Sequence, residues 1–394
     1  MKVFIKNCNG TLWLCLNVIR WVGFLVPDEL TGWKKTNNLC AQILMILIIF
    51  LGIYVITQTG DLIQVWGNVS DMTNTSFLLF TNLAFSTKIF TVMVRKKAVQ
   101  AIIDEGDYEL RSERRTDGVR IVKSSNKETT NLLWLYGFFT AVTVFGWAAS
   151  AEKNQLPLRA WYPYDTSKSP AYEITYMHQS IAVVLLAIVN VSLDQLVTSL
   201  TAVVRCRLQL LNLSLRTLCD DIQVADGKLI SKEDEVVISD RLRRCILRHQ
   251  SSLNAAAEIQ RCFTEPILVQ FTVSMVIICV TAYQLAVEKH NNPLRLISMC
   301  SYLMGMTMQV FLYCYQGNHL TEESSDIADG AYQSSWYTCP LTIRRSLLVI
   351  MARSRSVAVL TAGGFTTLSL PCFVSIIKAS YSFFTVLQQM EAEE

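Results

Sequence analysis

Apolar runs, each about the length of a bilayer crossing, alternate with polar stretches along the whole chain. Between charged residues the runs cover 36–60, 72–94 (interrupted by Lys88), 129–151, 174–204 (interrupted by Asp194), 266–287, 296–318 and 356 to near the end. A helix rises about 1.5 Å per residue, so about 20 residues cross a hydrocarbon core of about 30 Å. The pattern therefore predicts seven transmembrane helices and an all-α membrane protein. Residues 10–26 contain Asn17 and Arg20 and have no small-residue cleavage site after them. They read as an amphipathic interfacial helix rather than a signal peptide. Two further stretches, 205–219 and 232–259, continue the helical pattern beyond the fourth span and before the fifth. No internal repeat is visible, so an inverted-repeat transporter has no support.

Composition agrees with a membrane solvent. Hydrophobic residues make up 51% of the chain, charged residues only 17%, and the mean hydropathy is +0.32, too apolar for an ordinary soluble surface. The net charge of +3 says little, but its distribution says more. Of the 35 Lys and Arg residues, 28 fall in 1–35, 95–128, 205–265 and 316–355, against five in the alternate connections. The positive-inside bias puts the N-terminus in the cytoplasm and the C-terminus outside. None of the 12 cysteines lies in an expected outer loop, where a disulfide would form. Among the N-x-S/T sequences, Asn68 is the one placed in an outer loop with clearance from the membrane, and so is the expected glycosylation site.

The candidate chemistry does not point to an enzyme. No nucleophile has a base at motif spacing, no Cys/His spacing suggests a metal, and nothing calls for a cofactor. The basic run 111–115 reads as a solvated helix end or headgroup contact, not a nucleic-acid site. In the third span Thr140, Thr143 and Trp147 fall on one helical face. The second span offers Phe77, Phe80 and Thr81 in its outer half. The fourth begins with Tyr176, Met177, His178 and Gln179, and Asp194 deeper in it reads as a structural polar contact. The sixth carries Met299, Tyr302, Met304, Met306 and Met308. The loop with Trp161, Tyr162, Tyr164 and Tyr172 is either a lid over a pocket or an interfacial aromatic belt. The last span holds Ser369, Ser375, Lys378, Ser380, Ser382, Thr385, Gln388 and Gln389, which suggests one wet face.

The last fifth of the chain is the most specific. An acidic turn (Glu322, Glu323, Asp326, Asp329) leads to a basic amphipathic segment (Arg344, Arg345, Arg353, Arg355). A break at Gly363 and Gly364 follows, and then the final span. Gly317, Leu320, Ser324, Ala328, Tyr332, Trp336, Tyr337, the run Leu347 to Met351, Leu360-Thr361-Ala362-Gly363, Ser369, Phe373 and Ser380-Tyr381-Ser382 stand in order with the spacing of the insect odorant receptor signature. The chain resembles that family.

The resemblance implies a ligand-gated, non-selective cation channel of four subunits with the same inverted topology, in the dendrites of olfactory sensory neurons. The short connection 205–265 resembles that of a ligand-selective subunit, whose partner is a coreceptor subunit, rather than that of the coreceptor itself. It also implies a pocket for a small volatile odorant between the second, third, fourth and sixth spans. Here that pocket would be supplied by Phe77, Phe80, Thr143, Trp147, Tyr176, Met299 and Tyr302, a set suited to an aromatic or heteroaromatic ligand. The pore-lining face would be Tyr381, Thr385 and Gln389. The expected organisation is an interfacial segment 1–35, spans one to six in 36–315, a cytoplasmic anchor segment 316–364 within a helical anchor bundle, and a pore-lining span with its short tail in 365–394. A gustatory receptor shares the architecture but usually carries T-Y, five residues, then Q-F in the last span. A G-protein-coupled receptor would need D/E-R-Y and N-P-x-x-Y motifs, which are missing, and the opposite orientation.

Overall fold

The protein is represented by a computed structural model, which describes residues 10–22, 51–67, 69–149, 156, 160–166, 168–220, 231–287 and 293–393. Asn68 lies outside them. The order is α1 (Gly10–Trp21), α2 (helical over 51–64), α3 (Val69–Val94), α4 (Lys96–Ser112), α5 (Thr116–Ala149), α6 (Ala171–Arg216), α7 (Lys232–Val287), α8 (Pro293–Ser325), α9 (Ile327–Gln333), a 3₁₀ turn (Trp336–Thr338), α10 (Leu341–Ser354), a ribbon of β1 (Thr361–Ala362) and β2 (Thr366–Thr367), and α11 (Leu370–Glu393). Among the described residues six helices are long and apolar enough to cross a membrane. Their exposed surface fits lipid. Trp134, Phe138 and Phe145 on α5, and Met177, Ile181, Val184, Leu185 and Ile188 on α6, lie exposed at helical spacing. A helix can present such a face to hydrocarbon because its backbone groups are all paired internally.

One end of the molecule is a helical bundle rich in basic residues. There α4, the start of α5, the end of α6, the start of α7, α9 and α10 share a core that includes Ile103, Leu208, Leu211, Leu215, Ile238, Leu242, Ile327 and Leu347. α1 joins it through Leu12, Cys15, Leu16 and Ile19, a buried stripe at three- and four-residue spacing. Gly10 N–H donates to Asn126 Oδ1 at 3.1 Å, and the Thr11 and Thr130 hydroxyls meet at 2.8 Å. The α1 stripe is thus taken up by protein. Buried guanidinium groups are paired: Arg205 forks onto both oxygens of Glu128 at 2.9 and 2.8 Å, and Arg207 meets Glu109 and Glu105.

Several sequence expectations change in form. The basic stretch 95–128, read as a polar connection, is α4 and the first turns of α5. The segment 232–259 and the fifth span are one continuous helix of 56 residues that carries Pro266 inside it. Asp61, which falls in the connection between the first two apolar runs, belongs to the α2 helix and accepts a hydrogen bond from Thr75. The final span starts at Leu370, because 361–367 fold into an antiparallel ribbon with Thr361 opposite Thr367 and Ala362 opposite Thr366. Its turn requires Gly363 and Gly364 at φ of 59° and 78°, a region that side chains bearing a Cβ rarely enter.

Candidate functional site

A cavity of about 100 Å³ lies between α2, α3, α5, α6 and α8, toward the end remote from the basic bundle. α2 supplies Tyr54. α3 supplies Leu78, Thr81, Asn82 and Phe85, and α5 supplies Tyr136, Thr140, Thr143, Val144 and Trp147. α6 contributes Val183, Leu186, Ala187, Asn190 and Val191, and α8 contributes Tyr302, Gly305 and Met306. The wall is mostly apolar and aromatic, as in ligand pockets generally. Its volume is of the order of the roughly 150 Å³ cavities that take one benzene ring.

The aromatic wall is a triangle. Phe77 lies 5.7 Å from Trp147 and 5.5 Å from Tyr302, and Trp147 lies 5.3 Å from Tyr302, ring centre to ring centre. The interplanar angles of 54°, 65° and 49° keep edges toward faces, and each such pair is worth about 0.5–1.5 kcal/mol beyond area burial. Thr81 donates to the Phe77 carbonyl at 2.7 Å, so Tyr302 is the donor in its own 2.7 Å contact with Thr81.

Of the residues expected at the pocket, Thr143, Trp147 and Tyr302 line the cavity and Phe77 backs it. The other three lie outside the lining. Phe80 packs with Ile277, Ile278 and Met306 toward α7. The Tyr176 hydroxyl donates to the Ala148 carbonyl at 2.7 Å, and its ring lies beside Tyr172. Met299 is buried nearer the start of α8. Sequence reasoning missed Tyr54, because α2 was not counted among the pocket helices, and Phe85, Tyr136 and Asn190, which lie one or two turns deeper than the outer half. Thr140 and Thr143 were legible from their shared face with Trp147.

The aromatic loop packs on α2 and on the start of α6. Trp161 N–H donates to the Thr57 carbonyl at 3.1 Å, Gln179 donates to Tyr162 at 3.2 Å, and the Tyr164 and Thr175 hydroxyls meet at 2.8 Å. These bonds tie the loop to α2 and α6.

On the side toward the basic bundle, the cavity borders a polar network. Lys88 Nζ lies 2.5 Å from Asp194 Oδ1 and donates to Asn190 Oδ1 at 3.2 Å. Asp194 also accepts from Tyr136 at 3.2 Å, from Tyr313 at 2.7 Å and from Gln309. Gln309 in turn accepts from Gln270 at 2.8 Å. Every lone pair of the carboxylate is used, which is what a charge in a low-dielectric interior requires.

A second, polar cavity of about 360 Å³ sits in the basic bundle, lined among others by Glu128, Arg205, Arg216, Glu323 and Asp326. Burial pushes the Glu323 carboxyl above its ordinary range, and a hydrogen bond from Gln209 partly offsets this.

α11 is the least buried of these long helices. Only 11% of the residues in its apolar stretch are buried within the subunit, against 61% for α7. Ser380 faces α7 and donates to the Met275 carbonyl at 3.2 Å. Tyr381 and Gln389 are exposed and Thr385 is half-buried, donating to the Ser382 carbonyl at 2.8 Å. Lys378 is exposed too.

Comparison with known proteins bears on this arrangement. The family model described as 7tm Odorant receptor matches residues 68–381. The chain is similar to Odorant receptor Or1 of Anopheles gambiae, 25% identical over 409 aligned residues covering 98% of this chain and 96% of that one. It is 26% identical to Odorant receptor 46a, isoform A, of Drosophila melanogaster, over 82% of this chain and 84% of that one. Its fold is similar to the structure of the insect olfactory receptor OR5 from Machilis hrabei in complex with eugenol. The TM-score is 0.81 at 16% identity, covering 98% of this chain and 99% of that chain.

Proposed function

The chain belongs to the odorant receptor family, a multi-pass transmembrane receptor of olfaction, and from that premise we propose that it is the odorant-binding subunit of a heteromeric, ligand-gated, non-selective cation channel. The observation that carries this reading is the aromatic cavity among the membrane-crossing helices, sized for one ring with few substituents. The receptor whose fold this chain shares is described with eugenol, a small aromatic molecule, which supports an aromatic or heteroaromatic ligand here. The nearly unburied α11 is compatible with assembly: besides apolar positions that fit lipid, it exposes Lys378, Tyr381 and Gln389, a polar side suited to other subunits or a water-filled path. In this reading the partners are a coreceptor subunit completing a tetramer, the lipid bilayer and the permeating cations. Tyr381, Thr385 and Gln389 line the path, and the protein resides in the plasma membrane of sensory dendrites.

The subunit crosses the membrane seven times, with the basic bundle in the cytoplasm, as the charge asymmetry supports. In intact cells carrying a tag at each end, only the C-terminal tag should stain. Surface staining of the N-terminal tag would reverse the orientation. Cells expressing this chain with a coreceptor subunit should pass cation current to a subset of a volatile odorant panel, and cells lacking either subunit should not. Absence of any odorant current, at normal surface delivery, would overturn the channel reading.

A further inference from the structure

The Tyr54 side chain is only 1% exposed and lines the cavity, yet its hydroxyl has no hydrogen-bond partner among the described residues. Every other hydroxyl in the wall is committed. Thr140 donates to the Tyr136 carbonyl at 3.0 Å, and Thr143 donates to the Phe139 carbonyl at 2.8 Å. Tyr136 serves Asp194, Thr81 serves the Phe77 carbonyl, and Tyr302 serves Thr81. One helical turn from Tyr54, Gln58 is wholly buried. Its Oε1 accepts from Asn82 at 3.0 Å, and its Nε2 has no partner among the described residues. At this end of α2 one hydroxyl, on the cavity wall, and one amide N–H group behind it thus stand unsatisfied. A buried hydroxyl left unpaired is costly, and a phenylalanine would fill the same space without that cost.

We propose that the Tyr54 hydroxyl is the donor that selects the ligand. The ligand is accordingly a small neutral molecule carrying an acceptor atom (a ketone, aldehyde, ester, aryl ether or ring nitrogen) in preference to a hydrocarbon of the same shape. The inference rests on the cavity being the odorant site. It adds the class of polar group and the residue that reads it. A site built to donate rejects an analogue lacking the acceptor, because the donor is then left buried and unpaired.

The test uses shape-matched probes: acetophenone, and α-methylstyrene, in which a C=CH₂ group replaces C=O. Purified full-length receptor is titrated with each, with tryptophan fluorescence quenching as the readout. Wild type should bind the ketone about tenfold more tightly, relative to the alkene, than Tyr54→Phe does, with the alkene's affinity unchanged or improved in the variant. Comparing ratios between wild type and variant cancels each probe's partitioning into detergent. Tyr176→Phe, which removes a hydroxyl outside the cavity, should leave the ratio as in wild type. An equal ketone-to-alkene ratio in wild type and Tyr54→Phe overturns the proposal. Odorant currents in cells with a coreceptor form a separate arm. A Tyr54-dependent ketone preference in binding with no current to any odorant would sink the channel reading and leave this inference standing. Odorant currents without that preference would do the reverse.

Discussion

At the scale of single residues, the most consequential placement is that of two opposite charges buried among apolar helices. Lys88 and Asp194 are 5% and 1% exposed, and neither would be tolerated there alone. Removing one partner of a buried pair costs about 3–5 kcal/mol, because the survivor is left uncompensated, whereas replacing both by apolar residues of similar volume is often near neutral. Asp194→Asn and Lys88→Met should each lower the thermal stability of the solubilised protein by about that amount. The double variant Lys88→Met/Asp194→Leu should recover part of the loss. Recovery should stay incomplete, because Tyr136, Gln309 and Tyr313 also donate to Asp194. A double variant as damaged as the sum of the two single ones would remove the case for charge pairing. Each residue alone was visible in the sequence as an interruption of an apolar run. Their partnership was not, because it joins positions 106 residues apart through a fold that periodicity does not encode. Tyr54 was missed for a related reason: an aromatic residue in an apolar run carries no sign of which neighbours it meets.

At the scale of elements, the close approach of α8 to the segment before α11 shows what a short motif can dictate. A Cβ on Gly317 would lie 2.4 Å from Leu368 Cβ and 2.7 Å from the Leu368 carbonyl oxygen, and a backbone atom cannot swing away. Gly317→Ala should therefore destabilise the protein by about 1–3 kcal/mol, read as a lower melting temperature in detergent. Unchanged melting would show that the two segments part easily. The long apolar helices were legible, since apolar length marks each of them and the Gly363-Gly364 pair marks the break before the last, whereas α4 and the ribbon were not. Boundaries were less legible. The polar stretches at the basic end are helical because their apolar faces, Ile102 and Ile103 on α4 or Ile238 and Leu242 on α7, are buried against neighbouring helices. A net polar composition hides such a face. The ribbon at 361–367 is held by contacts far away in sequence. Gly363 N–H donates to the Thr264 carbonyl at 2.9 Å, Thr361 N–H donates to Gln260 at 2.6 Å, and Thr264 donates to the Thr361 carbonyl at 3.0 Å.

At the scale of the whole molecule, the pocket and the last helix are joined through packed elements rather than by direct contact. The cavity borders Asp194, which Gln309 of α8 touches. Gln309 accepts from Gln270 of α7, and Gln270 also donates to Ser274 at 2.7 Å. The next residue, Met275, offers the carbonyl that Ser380 of α11 takes. The six long apolar helices among the described residues could be read from the chain because lipid imposes a length and a hydropathy. The packing order of the helices could not, and it is this order that sets which side chains enclose the cavity. The ribbon also fixes how α11 can move. It clasps α7 at one end of the helix, whereas little of the helix's length is buried in the subunit. A tilt of α11 about that clasp, with the Ser380 contact to α7 released, would act on it as on a lever. Its 24 residues span about 36 Å, so a rotation of about 5° shifts the far end by about 3 Å while the first turn moves less than about 0.5 Å. Tyr381 sits at the middle of that arm and Thr385 and Gln389 lie beyond it, where the same rotation gives a displacement of about 2 Å and about 2.5 Å.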